Sequence, residues 1–473
     1  MLTTNNLILI DGSTGLAVLL STVIIYYVTK IVYNVFFHPL SRFPGPVSHA
    51  LSRLPYCYYA LLGTLPFHML DLHDRYGDIV RIAPDELAFS HPDAWKEKMG
   101  HKNSEEELGK ADWFYRPFPE ARHIVNEERD QHKCLRRAMA HGFSEKSMRD
   151  QEPLIRKYTD LLLEKLHVHS KSGQPVALSD WYNFTTFDII GDLAFGEAFG
   201  CLENAKYDSW IRSIFESGRL GIILQSISFY PMFRTILLLL VPKSLQDAQK
   251  KHKALTTTKM LRRLAITENR PDLINRSETT ASLLSGVTYF LLENPGAHQK
   301  LRDEVRSTFR SQDEINLISV NKLSYMLACL DEGLRMYPPI ANGLPRMCPR
   351  GGCTVLEHYI PANTYVSMHQ WALYHREKHF TEPNSYHPER FMGSPQFAND
   401  RCDVFQPFHV GPRNCLGRNL AYSEMRLILA LIMFNFDMVI SEDCHDWIQQ
   451  KNFLMWQKRP LKVYLKPVPR DSP

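Results

Sequence analysis

A ten-residue run near the C-terminus constrains this chain most: FHVGPRNCLG, residues 408–417. An apolar segment of helical length, residues 416–436, follows it at once. A cysteine at a helix start meets unpaired N–H groups and the positive end of the helix dipole, and both lower the pKa of a thiol. The run therefore predicts that Cys415 is a thiolate and a metal ligand.

The residues around Cys415 suit a flat cofactor. Gly411 and Gly417 let the backbone approach closely, Phe408 can cover the sulfur, and Arg413 offers several donors to an anionic group. These are the requirements of a haem iron bound through sulfur. A lone cysteine is most often a small buried hydrophobe, so the whole pattern, and not Cys415 alone, favours a ligand.

With these residues, the chain resembles the cytochrome P450 family. The resemblance implies a cytochrome P450 fold, mainly α with small β-sheets, and a haem b cofactor whose iron is bound by Cys415. It implies a monooxygenase that hydroxylates or epoxidises a lipophilic small molecule, with electrons from NADPH through NADPH-cytochrome P450 reductase. Within the family, residues 343–346 and 411–418 look most similar to fungal enzymes of secondary metabolism such as trichothecene C-15 hydroxylases.

Composition is that of a globular protein with a sizeable core. Of 473 residues, 44% are hydrophobic and 22% charged, and the net charge is only +4, without a long basic run, so nucleic acid is not indicated. The nine cysteines are an odd number without C-x-x-C spacing, which suggests neither a disulfide framework nor a zinc site. Residues 79–82 and 86–89 are predicted to pair as a hairpin around Pro84 and Asp85.

Residues 15–37 are predicted to form a single transmembrane anchor in the endoplasmic reticulum membrane. About 20 apolar residues suffice to cross a bilayer, and Lys30 is the only charge in this segment. Because Lys30 lies toward the C-terminal end of the segment, Arg42 and Arg53 follow it and nothing basic precedes it, residues 1–14 should be lumenal and the domain at 38–473 cytosolic. A buried core helix is the alternative, but the terminal position and the proline-rich hinge at 38–46 favour a helix that is anchored in membrane lipid.

The resemblance assigns three more basic side chains to the haem. A predicted helix at 130–144 carries His132 and Arg136 one turn apart, where the family has W-x-x-x-R reaching a haem propionate. His132 takes the place of the tryptophan, and its ring nitrogen can still donate. Without the resemblance, the pair would be interpreted as part of a solvated basic face of the helix. Arg346, in the run GLPR, stands where the family supplies another propionate ligand.

A structural triad is also implied by the resemblance. Glu332 and Arg335 lie three residues apart on a predicted helix at 323–336, and Arg390 follows in the run PERF. The pattern E-x-x-R is common by chance, but its order and spacing with PERF and the cysteine run make it specific. The triad is predicted to support folding and to do no chemistry.

Glu278 and Thr279 are the predicted catalytic pair. They open an apolar run that ends at Leu292, and an acid beside an alcohol suits proton delivery. Taken alone, the run SETT at 277–280 is equally well a helix N-cap with an acidic first turn. In the family, these two residues lie in the middle of a long central helix.

The sequence departs from the family just before this pair. Asn275 and Arg276 stand where the family has two small residues, and Pro271 leaves no length for the first half of the central helix. The remaining segment, 277–292, would span only about 24 Å at roughly 1.5 Å per residue. The alternative interpretation is therefore a haem-binding but catalytically impaired relative, or a truncated gene model.

Overall fold

The computed structural model describes residues 12–100, 107–116, 123–231 and 278–469, with scattered positions between 235 and 261. The helices there are α1 Gly12–Val32, α2 Val47–Leu51, α3 Leu54–Leu62, α4 Leu65–Tyr76, α5 Pro92–Met99, α6 Asp112–Tyr115, α7 Arg129–Ala140, α8 Glu145–Ser170, α9 Leu178–Phe195, α10 Cys201–Asn204, α11 Ser209–Ser228, α12 Glu278–Glu293, α13 Pro295–Thr308, α14 Ser324–Met336, α15 Gln370–Tyr374 and α16 Arg418–Asn435. The strands are β1 Ile79–Ala83, β2 Glu86–Phe89, β3 Gly109–Lys110, β4 Val176–Ala177, β5 Arg346–Met347, β6 Cys353–Val355, β7 His358–Ile360, β8 Tyr365–Ser367, β9 Phe436–Ile440, β10 Asn452–Phe453, β11 Met455–Trp456 and β12 Lys462–Pro467. Long helices with short strands confirm the predicted mainly α fold.

The largest sheet has the strand order β1-β2-β8-β5-β3. Its first two strands are the predicted hairpin, antiparallel, with Val80 opposite Ala88. Strand β8 runs parallel to β2 and antiparallel to β5. The short pair β3 and β5 places Lys110 opposite Arg346 at the edge of the sheet, next to the site described below.

Helix α12 is central to the core and positions one wall of the site. Nearly all of its side chains are buried, and it contacts α9, α14 and α16. A buried hydrogen bond of 2.8 Å joins Tyr182 on α9 to Thr288 on α12. Because close-packed neighbours surround it, α12 holds Thr279 and Thr280 in fixed positions.

The N-terminal helix is the candidate membrane anchor. Within the described residues, the segment Thr14–Phe37 is long and apolar enough to span a bilayer, with mean hydropathy 1.9, and its apolar window has no buried residue. It coincides with the anchor predicted at 15–37. Leu40 and Phe43, in the hinge that follows, are buried in a cluster with Leu87 and Phe89, so the hinge is fixed to the domain.

The predicted break before α12 lies outside the described residues. Pro271, Asn275 and Arg276 belong to the stretch 262–277, of which the structure gives no placement. Helix α12 is described from Glu278 onward.

Candidate active site

The run at 408–417 forms a loop that leads directly into α16. The N–H of Cys415 donates to the carbonyl oxygen of Phe408 at 2.8 Å, and the N–H of Asn414 donates to that of Gly411 at 3.1 Å. Helix α16 begins at Arg418, with Gly417 as its N-cap residue. Cys415 therefore lies just before a helix start, close to where the sequence places it.

The side chain of Cys415 is exposed and borders the cavity described below. Desolvation by the protein atoms around it raises the pKa of the Cys415 thiol, while the N–H of Gly417 and the cations Arg136 and Arg418 act in the opposite direction. The donors expected at the helix start are therefore present, and desolvation opposes them. A cation bonded to the sulfur would supply the missing counter-charge.

Gly411 is required by the fold of its own loop. Its φ is +77°, and a Cβ at this position would lie 1.7 Å from the carbonyl oxygen of Met99 at the end of α5. Gly411 therefore permits a close approach between its loop and the end of α5.

The variant Gly411→Ala is expected to disrupt the ligand loop. Because the atom it would meet is backbone, no side-chain rotation relieves the contact, and we expect a loss of about 3 kcal/mol or more in unfolding free energy. Gly393→Ala is the matched control, since Gly393 has φ +73° but nothing within 4 Å of its added Cβ. The control should lose roughly 1–2 kcal/mol from backbone strain alone. Equal thermal stability of the two purified variants would contradict this account.

A cavity of about 230 Å³ joins the loop to α12. Most of the surface that lines it is apolar. It is lined by Thr279, Thr280, Leu283, Leu334, Pro339, Ile340, Leu344, Gln370, Pro407, Phe408, His409, Arg413, Cys415, Ala421 and Met425. The motif cysteine and the threonine of the predicted proton relay therefore border one enclosure.

Buried cations gather at the edge of this site. Arg346 on β5 lies opposite Lys110 on β3, and Arg413 is near both. Burial lowers the pKa of Lys110 and of Arg346, and the positive charge of Arg413 lowers both further. The Nε and Nη1 atoms of Arg346 and the hydroxyl of Tyr115 are buried, and they have no hydrogen-bond partner among the residues that the structure describes.

This arrangement fits the propionates of a haem. Like charges directly opposite each other on neighbouring strands destabilise a sheet, and buried donors without acceptors cost about 1–3 kcal/mol each. Two carboxylates would neutralise Lys110 and Arg346 and accept hydrogen bonds from Tyr115.

In the described part of the chain, no cluster of three or more His, Cys, Asp or Glu side chains can hold a metal ion.

The other predicted haem contacts are partly engaged by the protein itself. Arg136 donates to the carbonyl oxygen of Asn414 at 2.7 Å and also to its side-chain oxygen, so it ties α7 to the ligand loop. Arg413 donates to Glu107 at 2.9 Å. Burial, with the charges of Arg413 and Arg136, lowers the pKa of His132 to about 4. His132 is therefore neutral, and one ring nitrogen can still donate.

Glu278 and Thr279 lie in different surroundings. Thr279 borders the cavity, whereas Glu278 is buried and accepts from Lys458 at 2.8 Å and from the Ser282 hydroxyl at 3.2 Å. Lys458 also donates to Ser282 at 2.9 Å and to Asn183 at 3.2 Å. Uptake of protons from water by Glu278 would therefore require this ion pair to open.

The structure contains a second pair of an acid and an alcohol, which the sequence pattern does not predict. Glu424 on α16 is buried and shares a hydrogen bond with Thr280, which also borders the cavity. Burial raises the pKa of Glu424 to about 8. A carboxyl group that stays protonated at neutral pH can donate a hydrogen bond, which an ionised one cannot. The contact joins two helices that are far apart in the chain, so no local motif reveals it.

The variant Glu424→Gln is expected to change how stability depends on pH. The folded protein holds its proton on Glu424 up to about pH 8, against a usual pKa of 4.5, so the wild type loses stability as pH rises through this window. Glutamine does not titrate. The stability of the variant relative to wild type should therefore grow by roughly 3 kcal/mol between pH 5 and pH 8, as measured by thermal unfolding. An unchanged difference across these pH values, as expected for the exposed control Glu377→Gln, would refute the burial argument.

The three residues of the predicted triad meet in the core. Glu332 accepts from Nη2 of Arg335 at 2.7 Å and from its Nε at 2.8 Å. The Nε of Arg390 lies 3.3 Å from Glu332, and the three side chains have no exposed surface. Asp400 also binds Arg390, a partner that the sequence does not indicate.

A mainly helical fold, a cysteine loop that opens a buried helix, and a cation-edged cavity are together the features of a haem-binding oxidoreductase. The family model for cytochrome P450 matches residues 52–277 and 273–465. The chain belongs to the cytochrome P450 family, and its class is that of the monooxygenases. The two matched segments overlap at 273–277.

Full-length relatives agree with this assignment. The chain is 48% identical to cytochrome P450 monooxygenase prhB of Penicillium brasilianum over 477 residues, which cover 95% of this chain and 98% of the relative. It is 42% identical to trichothecene C-15 hydroxylase of Fusarium sporotrichioides over 493 residues, 98% of each chain. It is 41% identical to cytochrome P450 monooxygenase astA of Talaromyces wortmannii, over 96% of this chain and 97% of the relative. The predicted similarity to fungal monooxygenases is confirmed.

Proposed function

We propose that this protein is a membrane-anchored monooxygenase that hydroxylates or epoxidises a lipophilic small molecule in fungal secondary metabolism. One observation carries the proposal: Cys415 and Thr279 border the same mostly apolar cavity. The relatives that cover nearly the whole chain are fungal monooxygenases, and one is named for hydroxylation of a trichothecene, which supports the choice of reaction and of substrate class.

Different residues of the site would bind the haem, transfer a proton and orient the substrate. Cys415 would hold the haem iron, and Arg346, Lys110 and Tyr115 would bind the propionates. When bound, haem supplies the activation of dioxygen, and a thiolate ligand favours cleavage of the oxygen–oxygen bond. Thr279 is placed to pass a proton into the cavity, while apolar side chains of the cavity wall exclude bulk water and orient a lipophilic substrate.

The proposed partner is NADPH-cytochrome P450 reductase, with the anchor in the endoplasmic reticulum membrane and the domain in the cytosol. Lys133, Arg137 and Arg418 are exposed, and Arg418 lies close enough to Cys415 to influence its thiol. A cationic surface near the sulfur suits an acidic flavoprotein, since complementary charge speeds encounter.

The test is reconstitution of the full-length, haem-loaded protein in phospholipid with the reductase and NADPH. A panel of lipophilic terpenoid and aromatic probes is supplied under isotopically labelled dioxygen. We expect a product that carries one labelled oxygen atom, and no such product with Cys415→Ala.

One alternative is favoured by a specific observation. The family match divides at 273–277, close to the place where the residue pattern predicts that the central helix is shortened. An impaired relative would bind haem and carbon monoxide and consume NADPH without an oxygenated product. Such a result across the whole panel would replace the monooxygenase proposal with this one.

A further inference from the structure

Two cysteines outside the haem site lie next to each other. Cys348 directly follows β5 and Cys353 opens β6, and the structure holds both as thiols. Their sulfur atoms are 2.9 Å apart. This is closer than the ordinary contact of two sulfur atoms, so a bond between them needs little movement.

Main-chain hydrogen bonds fix this pair. The N–H of Cys348 donates to the carbonyl oxygen of Thr364 at 2.9 Å, and the N–H of Gly352 donates to that of Pro349 at 2.9 Å. Cys353 is paired with Ile360 in the hairpin of β6 and β7. The turn between the two cysteines is therefore tight, and neither sulfur depends on a flexible loop for its position.

The two thiols have unequal surroundings. Cys348 is only 1% exposed, whereas Cys353 is partly exposed. The ammonium group of Lys98, itself buried, lies 3.2 Å from the sulfur of Cys353. A buried cation beside a thiol favours the thiolate, which is the form that reacts with oxidants. A pair that served only as small apolar side chains would gain nothing from this cation.

We propose that Cys348 and Cys353 form a reversible disulfide in response to hydrogen peroxide. The thiolate of Cys353 attacks one peroxide oxygen; the oxygen–oxygen bond breaks, the sulfur becomes a sulfenic acid, and the released hydroxide takes a proton to become water. The thiol of Cys348 then attacks that sulfur, a disulfide forms, and a second water leaves. In total, two thiols lose two electrons and two protons, and one peroxide becomes two waters.

The cysteine pair lies close to residues of the haem site, so a disulfide there would act on that site. Cys348 lies two residues after Arg346, and Lys98 directly precedes Met99, whose carbonyl oxygen faces Gly411. The disulfide would fasten the strand that carries Arg346 to the next hairpin. It extends the interpretation of the nine cysteines, whose number and spacing suggested no disulfide framework.

The sequence offers a direct test, because trypsin cleaves after Arg346, Arg350 and Arg376. The purified full-length protein is treated with hydrogen peroxide, its remaining thiols are alkylated, and it is digested. We expect the peptides Met347–Arg350 and Gly351–Arg376 to be recovered joined, and to separate on treatment with dithiothreitol. This experiment uses the wild-type protein, so its outcome does not depend on whether a variant folds.

Three variants test the order of events. Cys348→Ser should leave a sulfenic acid on Cys353 that dimedone traps, and Lys98→Met should slow linkage about tenfold while Lys98→Arg keeps it. Cys402→Ser is the matched control, since Cys402 is exposed and outside the pair, and it should behave as wild type. The proposal is overturned if Cys353 is oxidised further without linkage, if the pair is linked before peroxide is added, or if another cysteine is its partner.

Discussion

Replacing Glu332 by glutamine should destabilise this protein by about 3–5 kcal/mol. Glu332 is the shared anion of Arg335 and Arg390, and none of the three side chains is exposed. The variant keeps the shape of the side chain but removes the charge. Asp400 still binds Arg390, but Arg335 is left buried with only carbonyl acceptors, those of Tyr374, Pro383 and Ser385.

The neighbouring glutamate provides the matched control. Glu389 precedes Arg390 in the chain and pairs with Lys300 at 2.6 Å, but Lys300 is 60% exposed and Glu389 32% exposed. Because solvent screens such a pair, Glu389→Gln should cost less than about 1 kcal/mol. Both variants are compared with wild type, as haem-loaded protein in detergent, by thermal unfolding at one scan rate. If Glu332→Gln unfolds at the temperature of its control, the triad does not support the fold.

The second large effect is expected at the buried pair of Glu278 and Lys458. Their side chains are 4% and 6% exposed, and Oε2 of Glu278 has no hydrogen-bond partner within the described part of the chain. Lys458→Met leaves this carboxylate without its cation, and a broken buried pair typically costs about 3–5 kcal/mol. Loss of thermal stability in the full-length protein is the measurement.

A double variant separates the charge effect from lost side-chain contacts. Adding Glu278→Gln to Lys458→Met removes both charges, so we expect stability to recover to within about 2 kcal/mol of wild type. If the two single losses simply add in the double variant, the charges are not coupled. The ion pair would then not be what holds Glu278 away from water.

Much of this site can be predicted from the sequence, because its motifs are local. The ligand loop and α16 are contiguous, so Cys415 and its helix follow from one run of residues. The hairpin at β1 and β2 follows from alternating residues around a turn. Glu332 and Arg335 share a helix, and only their meeting with Arg390 requires the resemblance.

The features that the sequence does not predict depend on contacts between distant segments. Lys110 belongs to a two-residue strand that only its pairing with β5 reveals. Lys458 contacts Glu278 although the two residues are far apart in the sequence. Glu424 looks like an ordinary helix residue until α12 is placed against it. The desolvation that raises the pKa of the Cys415 thiol has a related origin, because it comes from neighbouring segments that no local pattern describes.

The central claim is that Cys415 binds haem iron through its sulfur. The most direct measurement is the carbon-monoxide difference spectrum of the reduced full-length protein, for wild type, Cys415→Ala and the control Cys402→Ala. We predict the Soret band of thiolate-bound haem for wild type and for the control, and its absence, with little haem retained, for Cys415→Ala. A thiolate-type band that survives in Cys415→Ala would contradict the account.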